Sequence, residues 1–383
     1  MRVLVAGGGI GGLSAVIALR AAGVDAVAFE QRPEVSKTMV GGGFHLWPNS
    51  MRVLDELGLG ERAKASGAEI RRTEFHSFRD RQLACWPVDE VAREFGGSNV
   101  GIARSDLQRL LFEAADDDAV IPGAQLVGYE EDEAGVVARF EDGREERGDV
   151  LVGADGSRSA VRRILLGKDG PDYAGYVQWQ TVVDDPEGLL PDGVERITFG
   201  PGSRAVMHAV GRRRTFWACV LYCPESDAGS APGRKQRLLD AFGDWPAPIA
   251  AAIERTPEEQ IIGLPIYERP PGQKWGAGRV TLLGDAAHAM TTNTSQGGNM
   301  AIEDGLVLAR HLKAGDRDPQ AALREYERVR YARTTPLVKQ SHFFAQMNAW
   351  KHPVRIRFRD RLFSVVVPRK GLRDLRAAVR EQV

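Results

Sequence analysis

Met1-Arg-Val-Leu-Val-Ala-Gly7-Gly8-Gly9-Ile10-Gly11-Gly12 is a short apolar run that ends in G-x-G-x-x-G, with Gly7, Gly9 and Gly12 at the three glycine positions. A helical stretch follows from Leu13 to Ala22, closed by Gly23; Val24 to Phe29 reads as a second strand, with Glu30 at its end. The spacing is that of a dinucleotide turn. Gly7 allows the tight bend, Gly9 lets backbone approach a pyrophosphate, and Gly12 lets the helix pack close to the strand. The pyrophosphate would sit on the free N–H groups and positive dipole end of the helix. Glu30 would accept hydrogen bonds from a ribose 2′-hydroxyl, so FAD or NAD fits this site and NADP does not.

Working outward, the chain has 383 residues, 43% hydrophobic and 27% charged, with a formal net charge of −1. That size allows two or three domains. The balanced charge gives no reason to expect nucleic acid as a partner. The fingerprint begins so early that no signal or transit peptide is expected before it, and no apolar run reaches the ~18 residues needed to span a bilayer. Three cysteines, Cys85, Cys219 and Cys223, are too few for a disulfide framework and read as packing thiols in a reducing, cytoplasmic compartment. They have no partners spaced for zinc, so no metal site is expected.

Several elements follow from periodicity and turn residues. Ser50 to Leu59 is helical in pattern, with Gly58 and Gly60 at its end. Arg104 to Ala115 reads as a helix, with Ser105 as N-cap and Leu107, Leu110 and Leu111 as its apolar face. Ala124–Val127, Val136–Phe140 and Val150–Val152 read as strands returning to the nucleotide-binding sheet, with an Asp142-Gly143 hairpin turn between the last two. From about Val177 to Tyr222 short alternating runs imply an antiparallel, half-buried sheet. Helical patterns return at 234–242 and 247–254, and Arg279–Gly284 is another buried strand. A helix follows from about Gln296 to His311, then a long charged one over 319–350 with a break before Pro336. The tail from Pro353 is basic and amphipathic; it packs as one or two helices or, alternatively, signals a membrane surface.

Two further signatures stand in order: Gly153-Ala154-Asp155-Gly156-Ser157-Arg158, after the run Asp149–Val152, and Gly284-Asp285-Ala286-Ala287-His288, after Arg279–Leu283. With the first fingerprint they resemble the three motifs of the class A flavoprotein monooxygenases, the para-hydroxybenzoate hydroxylase-like family, over nearly the whole chain. The resemblance implies an α/β fold: a Rossmann-like FAD-binding domain with an inserted antiparallel substrate sheet and C-terminal helices. The expected division is 1–72, 98–172 and 276–315 for FAD, 73–97 and 173–275 for substrate, and 316–383 for the helical region. It further implies cofactor contacts at Gly7, Gly9, Ile10, Gly11, Gly12, Glu30, Arg32, Gly43 with its neighbours Gly41 and Gly42, Arg104, Gln108 and Val127. Asp155 would hold the second turn and a neighbouring arginine, and Asp285 the FAD ribityl chain. The amides of Gly297, Gly298, Asn299 and Met300 at a helix start would stabilise negative charge on reduced flavin.

By the same resemblance, NADPH or NADH reduces FAD, and O2 then gives a flavin C4a-hydroperoxide. That species hydroxylates or epoxidises a small aromatic or polyketide-like substrate, with the protein a monomer or homodimer. Candidate residues near the flavin are His45, Arg204, His208 and Thr292, with Gln178, Trp179, Met207, Trp217 and Tyr222 as possible pocket lining. The chain departs from the family in three places: Thr292 replaces a proline, Ser295 a glycine, and Gln180 an arginine. A threonine at 292 adds a hydroxyl and an N–H and frees the backbone. A flavin oxidase, dehydrogenase or isomerase on the same fold, or a non-catalytic FAD-binding protein, therefore stays open. A flavin halogenase does not, because no W-x-W-x-I-P stretch is present.

Overall fold

The computed structural model describes residues 1–34, 41–167, 170–185, 187–229, 232–272, 274–313 and 318–380. The domain limit expected at 315 and 316 therefore lies outside the described residues. Five parallel strands form the nucleotide-side sheet, in the order Val280–Leu282, Val150–Gly153, Arg2–Ala6, Asp25–Glu30, Val120–Pro122. Val3, Leu4 and Val5 are fully buried, because both faces of this sheet are covered. Helices Ile10–Ala21 and Gly297–Lys313 cover one face and approach so closely that a Cβ on Gly305 would lie 2.7 Å from the Ala15 nitrogen.

The other face carries a separate three-stranded antiparallel sheet, Leu126–Asp132, Gly135–Phe140 and Glu145–Gly148. This corrects the expectation that the runs near 124 and 136 return to the parallel sheet; only Val150–Gly153 does. The alternation in Gly135–Phe140 explains it. Val136, Ala138 and Phe140 are buried against the parallel sheet while Arg139 faces solvent, the mark of a one-sided cover. The Asp142-Gly143 turn joins two strands of this cover.

A seven-stranded sheet follows, in the order Ile262–Glu268, Asp172–Asp184, Arg214–Leu221, Ser203–Ala209, Val194–Gly200, Arg72–Ser77, Gln82–Trp86. It is antiparallel except where Val194–Gly200 runs parallel to Arg72–Ser77. One face packs on helices Arg234–Phe242 and Ile249–Arg255; the other looks toward the nucleotide-side layer and the C-terminal helices. Strand Val100–Ala103 runs straight into helix Arg104–Ala114, with the Arg104 N–H on the Gly42 carbonyl at 2.9 Å. The cap position thus falls on Ala103, and Ser105 lies inside the helix. Helix Pro48–Glu56 ends before Gly58, but Gly60 begins the next helix, Gly60–Ser66, instead of closing the first.

Helix Pro319–Asn348 continues through Pro336 with no break. The ~3 kcal/mol that an internal proline costs is offset by burying Arg330, Arg333, Leu337 and Val338 on either side of it. Pro353–Val365, a wide turn at Val367–Gly371 and Leu372–Arg380 complete the described residues.

Candidate active site

The first of two adjoining spaces is a cleft at the C-terminal ends of the parallel strands. Gly7 sits at φ +111°, where an added Cβ would meet the Ala154 oxygen at 2.5 Å; on Gly12 it would lie 1.9 Å from the Gly7 oxygen. Gly9, between them, has nothing within 4 Å of such an atom, so its backbone borders open space. The Glu30 carboxylate accepts from the Gly8 N–H at 2.9 Å and the Arg32 N–H at 3.0 Å, which fixes it at the mouth of the turn. Gln108 donates to the Gly8 carbonyl at 3.3 Å from helix Arg104–Ala114. Ile10 is buried behind the turn, and Gly11 lies against Leu283 and Ala301. Ala124 and Gly123 donate to the carbonyls of Glu30 and Arg32, and Val127, 48% exposed, stands just beyond them.

Arg104 projects into the cleft beside Gly41. The surrounding protein lowers its guanidinium pKa by desolvation, which the negative charge of Asp285 opposes and that of Arg32 reinforces. Asp155 turns one carboxylate oxygen to the helix start at Ala160 and Val161, at 2.7 and 3.3 Å, and burial raises its pKa. Its other oxygen is buried with no partner, and no arginine bonds it among the described residues.

Met300 N–H already donates to Gln296 at 2.8 Å, and its side chain is buried with Leu337 and Val338. Asn299 is equally committed: its amide group donates to His45 O and Ser295 O and accepts from Trp47 N–H and Ser50. The backbone N–H groups of Gly297, Gly298 and Asn299 are what this helix start presents. A Cβ on Gly298 would strike Phe44 at 2.1 Å, and glycine keeps the approach open. Glycine backbone, two cations and a carboxylate at the strand end fit a dinucleotide such as FAD: amides and arginines for the pyrophosphate, Glu30 for the ribose.

A buried ion cluster underlies the cleft. Arg330 bonds Glu303 at 2.8 Å and Asp304 at 2.5 Å; Asp304 also accepts from the Gly284 N–H and pairs with His288 at 2.7 Å. These opposing charges hold the Asp304 carboxyl at about 2 despite complete burial. Fixing Gly284 fixes Asp285 next to it. None of this cluster follows from local spacing, and His288, at the end of the Gly284–His288 motif, is turned inward to Asp304.

The second space is a cavity of about 100 Å³ between the seven-stranded sheet, the 293–296 loop and the C-terminal helices. Glu195, Ile197 and Phe199 alternate along one strand and line it with Thr73, Phe75 and Arg204. Glu195 is 2% exposed; its Oε2 accepts from Thr73 at 2.8 Å and pairs with His45 Nδ1 at 3.2 Å. Burial raises its pKa, but His45, His208 and Thr73 together draw it down to about 2, so it stands ionised. Oε1 has no protein partner among the described residues. His45 lies behind Glu195, bonded to Asn99 at 3.2 Å and stacked on Trp47, and does not line the cavity. His208 packs on Phe216, and burial lowers its pKa. The two histidines thus reach the cavity only through Glu195, a residue that sequence reasoning missed. An acid on the Ile197–Phe199 face of a strand was the available signal.

Thr292 is a junction. Its hydroxyl donates to Gln178 Oε1 at 2.8 Å and accepts from Arg204 at 3.2 Å, and its N–H reaches Tyr176 at 3.1 Å. Arg204 also bonds Asn293 at 2.9 Å, while its Nε is buried with no partner. Gln178 donates to Gln180 at 2.6 Å, and Gln180 lies against Gly42. Ser295 takes φ +53°, the left-handed conformation for which a glycine is suited.

Four expected lining residues are elsewhere. Trp179, Met207 and Trp217 point to the opposite sheet face and are buried with Leu238 and Phe242, because strand alternation gives that face to the two covering helices. Tyr222 is on the near side, but its hydroxyl donates to Ala345 O at 2.5 Å and it packs on Tyr176. Cys219 belongs to the core and Cys223 is half-buried, but Cys85 is exposed, so it is not a packing thiol. Among the described residues no His, Cys, Asp or Glu cluster could hold a metal, and no helix is long and apolar enough to cross a membrane.

Comparison with known proteins gives consistent matches. The model of a family described as an FAD binding domain matches residues 1–341. An aurachin C monooxygenase/isomerase of Stigmatella aurantiaca is 38% identical over 366 residues, covering 96% of this chain and 94% of that protein. An FAD-dependent urate hydroxylase of Klebsiella pneumoniae is 34% identical over 341 residues, 88% of each. The crystal structure of Klebsiella pneumoniae HpxO complexed with FAD and uric acid superposes with a TM-score of 0.91 at 29% identity, over 99% of this chain and 96% of that one.

Proposed function

The chain belongs to the FAD-binding-domain family of class A flavoprotein monooxygenases and is an FAD-dependent monooxygenase; we propose that it uses NADH or NADPH and O2 to hydroxylate or epoxidise a small aromatic or polyketide-like molecule. FAD supplies the electron transfer and oxygen activation, and the chain supplies binding and orientation. Its proposed holders are Gly7, Gly9, Ile10, Gly11, Gly12, Glu30, Arg32, Gly43, Arg104, Gln108, Val127, Asp155 and Asp285, with the amides of Gly297, Gly298 and Asn299. The domain division given above is proposed with it, as is a cytoplasmic monomer or homodimer.

The observation that carries the substrate reading is the cavity wall. Phe75, Phe199 and Trp86 give it apolar, aromatic surface, and on the sheet side the Glu195 carboxylate and the Arg204 guanidinium face it with opposite charges. The Glu195 carboxylate is too weak a base, at about 2, to remove a phenolic proton unaided. It serves as a fixed acceptor, while the unpartnered Arg204 Nε is a donor. They stand four residues apart along the sheet, roughly 13 Å. A neutral ring system with an N–H or O–H at one end and a carbonyl at the other satisfies both. Thr292 supports a hydroxylating reading over an oxidase one, because its bonds to Tyr176, Gln178 and Arg204 hold the loop that the family holds with proline.

The test is turnover of purified FAD-loaded enzyme with NADH and NADPH under isotopically labelled dioxygen. The panel would pair neutral ring systems carrying an N–H or O–H opposite a carbonyl with benzoates. Label in a neutral donor–acceptor product supports the reading. Hydrogen peroxide alone across the panel overturns it, and preference for the benzoates overturns the role given to Glu195.

A further inference from the structure

The C-terminal helices have two differently committed faces. Helix Pro353–Val365 is fastened inward: Arg359 is buried, donates to the Gly200 carbonyl at 2.9 Å and pairs with Asp360, while Ile356 and Phe363 are buried beside it. Trp86 donates to the Val367 carbonyl at 3.1 Å, and Arg52 to that of Val379 at 2.6 Å. Phe363, Val367, Leu375 and Ala378 form the cavity roof.

The outward side is apolar as well. Val354, Phe358 and Val365 are 64%, 61% and 62% exposed, and at 3.6 residues per turn they fall on one stripe with Arg361. Phe343, 54% exposed, and Val366, 37%, stand on the neighbouring segments. Of the nine large hydrophobic residues exposed among the described residues, four lie between residues 354 and 366. Scattered exposed apolar residues need no explanation, but a collected stripe does. Its charge is one-sided: Arg355, Arg357, Arg361 and Arg369 are exposed, none holds an ion pair among the described residues, and Asp360 is turned inward to Arg359. The chain as a whole carries a net charge of −1, so this is a local segregation.

We infer that the outer face of the C-terminal helices is a peripheral docking site for an anionic lipid surface. Apolar side chains enter the interfacial layer while arginines meet the headgroups, their aliphatic stems lying along the apolar stripe. Two weak signals acting together are what reversible membrane attachment requires. Charge complementarity selects lipid over a second copy of this chain, because two such faces would bring their unpaired arginines together. Docking sets the cavity roof against the bilayer, although the attachment itself is independent of what the cavity holds.

The FAD-loaded full chain is sedimented with vesicles of phosphatidylcholine alone and of phosphatidylcholine mixed with phosphatidylglycerol. We expect at least tenfold stronger partitioning onto the anionic vesicles, weakened by added salt. Phe358→Asp with Val365→Asp, and separately Arg355→Glu with Arg357→Glu and Arg361→Glu, each lose at least tenfold. All these positions are exposed, and unchanged thermal melting and flavin content confirm that the variants remain folded. Equal partitioning onto both vesicle types, or variants that pellet as well as the parent, overturns the inference. So does a chain that ignores vesicles but is a dimer which Phe358→Asp dissociates, since the face then belongs to a second copy.

Discussion

The glycine-lined cleft and the cavity beneath the C-terminal helices adjoin each other, yet they are built by opposite means. In the cleft the functional groups are mostly backbone, and their positions follow from local conformation: a turn at Gly7, a close contact at Gly12, a carboxylate at a strand end. In the cavity they are side chains drawn from distant segments. Glu195 meets Thr73 and His45, and Thr292 meets Tyr176, Gln178 and Arg204. A backbone site tolerates little change in its sequence but can be read from it. A side-chain site can diversify while the fold stays, which suits a shared cofactor and a variable substrate.

The largest expected effect falls on the ion cluster under the cleft. Arg330→Met leaves Glu303 and Asp304 buried without their main partner and should cost about 3–5 kcal/mol, read as a lower urea midpoint. The same cluster fixes the response to acid. The folded Asp304 pKa of about 2 lies below the ordinary 3.8, so its contribution is complete above about pH 4 and is lost as pH falls toward 2. Unfolding curves at stepped pH should show this loss, and Arg330→Met should flatten it.

Gly12→Ala comes next. Its Cβ would meet the Gly7 oxygen at 1.9 Å and push the helix from the turn, at about 1–3 kcal/mol. Bound flavin per chain should fall about tenfold or more. Normal flavin content would mean the cleft is not held by these contacts.

Glu195→Gln sharpens the contrast from the other side. Flavin content should be unchanged, while KM for the true substrate rises about 10–100-fold, as expected for losing a charged acceptor. Trp217→Phe should leave KM where it is, since Trp217 faces the covering helices and bonds Thr256. A raised KM there would put the pocket on the wrong face of the sheet.

The smallest effect is at Thr292. Thr292→Val removes the hydroxyl contacts to Gln178 and Arg204, at about 0.5–1.5 kcal/mol each. The expected readout is a lower ratio of product to NAD(P)H consumed, with stability lowered only by the loss of those two contacts. An unaltered ratio would show that the loop needs no such clamp.

Much of the cleft was legible in the sequence because its information is local. G-x-G-x-x-G after an apolar run, G-A-D-G and G-D-A-A-H each imply their own turn, and the parallel strands between them are continuous apolar runs. The strands near 126 and 136 were misassigned because a one-sided cover and a returning strand look alike over a few residues; only the alternation of Val136, Ala138 and Phe140 with Arg139 separates them. Trp179 and Met207 were misplaced for a related reason. Alternation divides a strand into two faces but does not say which one meets the cofactor.

By itself the sequence determined the nucleotide turn, the acid at Glu30 and the family's order of motifs, because the spacing of glycines and apolar runs dictates backbone shape over tens of residues. The tertiary structure alone decided that Glu195 stands ionised in a cavity wall, that Thr292 ties its loop to two strands, and that the tail roofs the cavity with one face and presents the other to solvent. Those properties depend on which distant side chains meet in a low-dielectric interior, where hydrogen bonds and opposing charges are strong and their partners are set by packing.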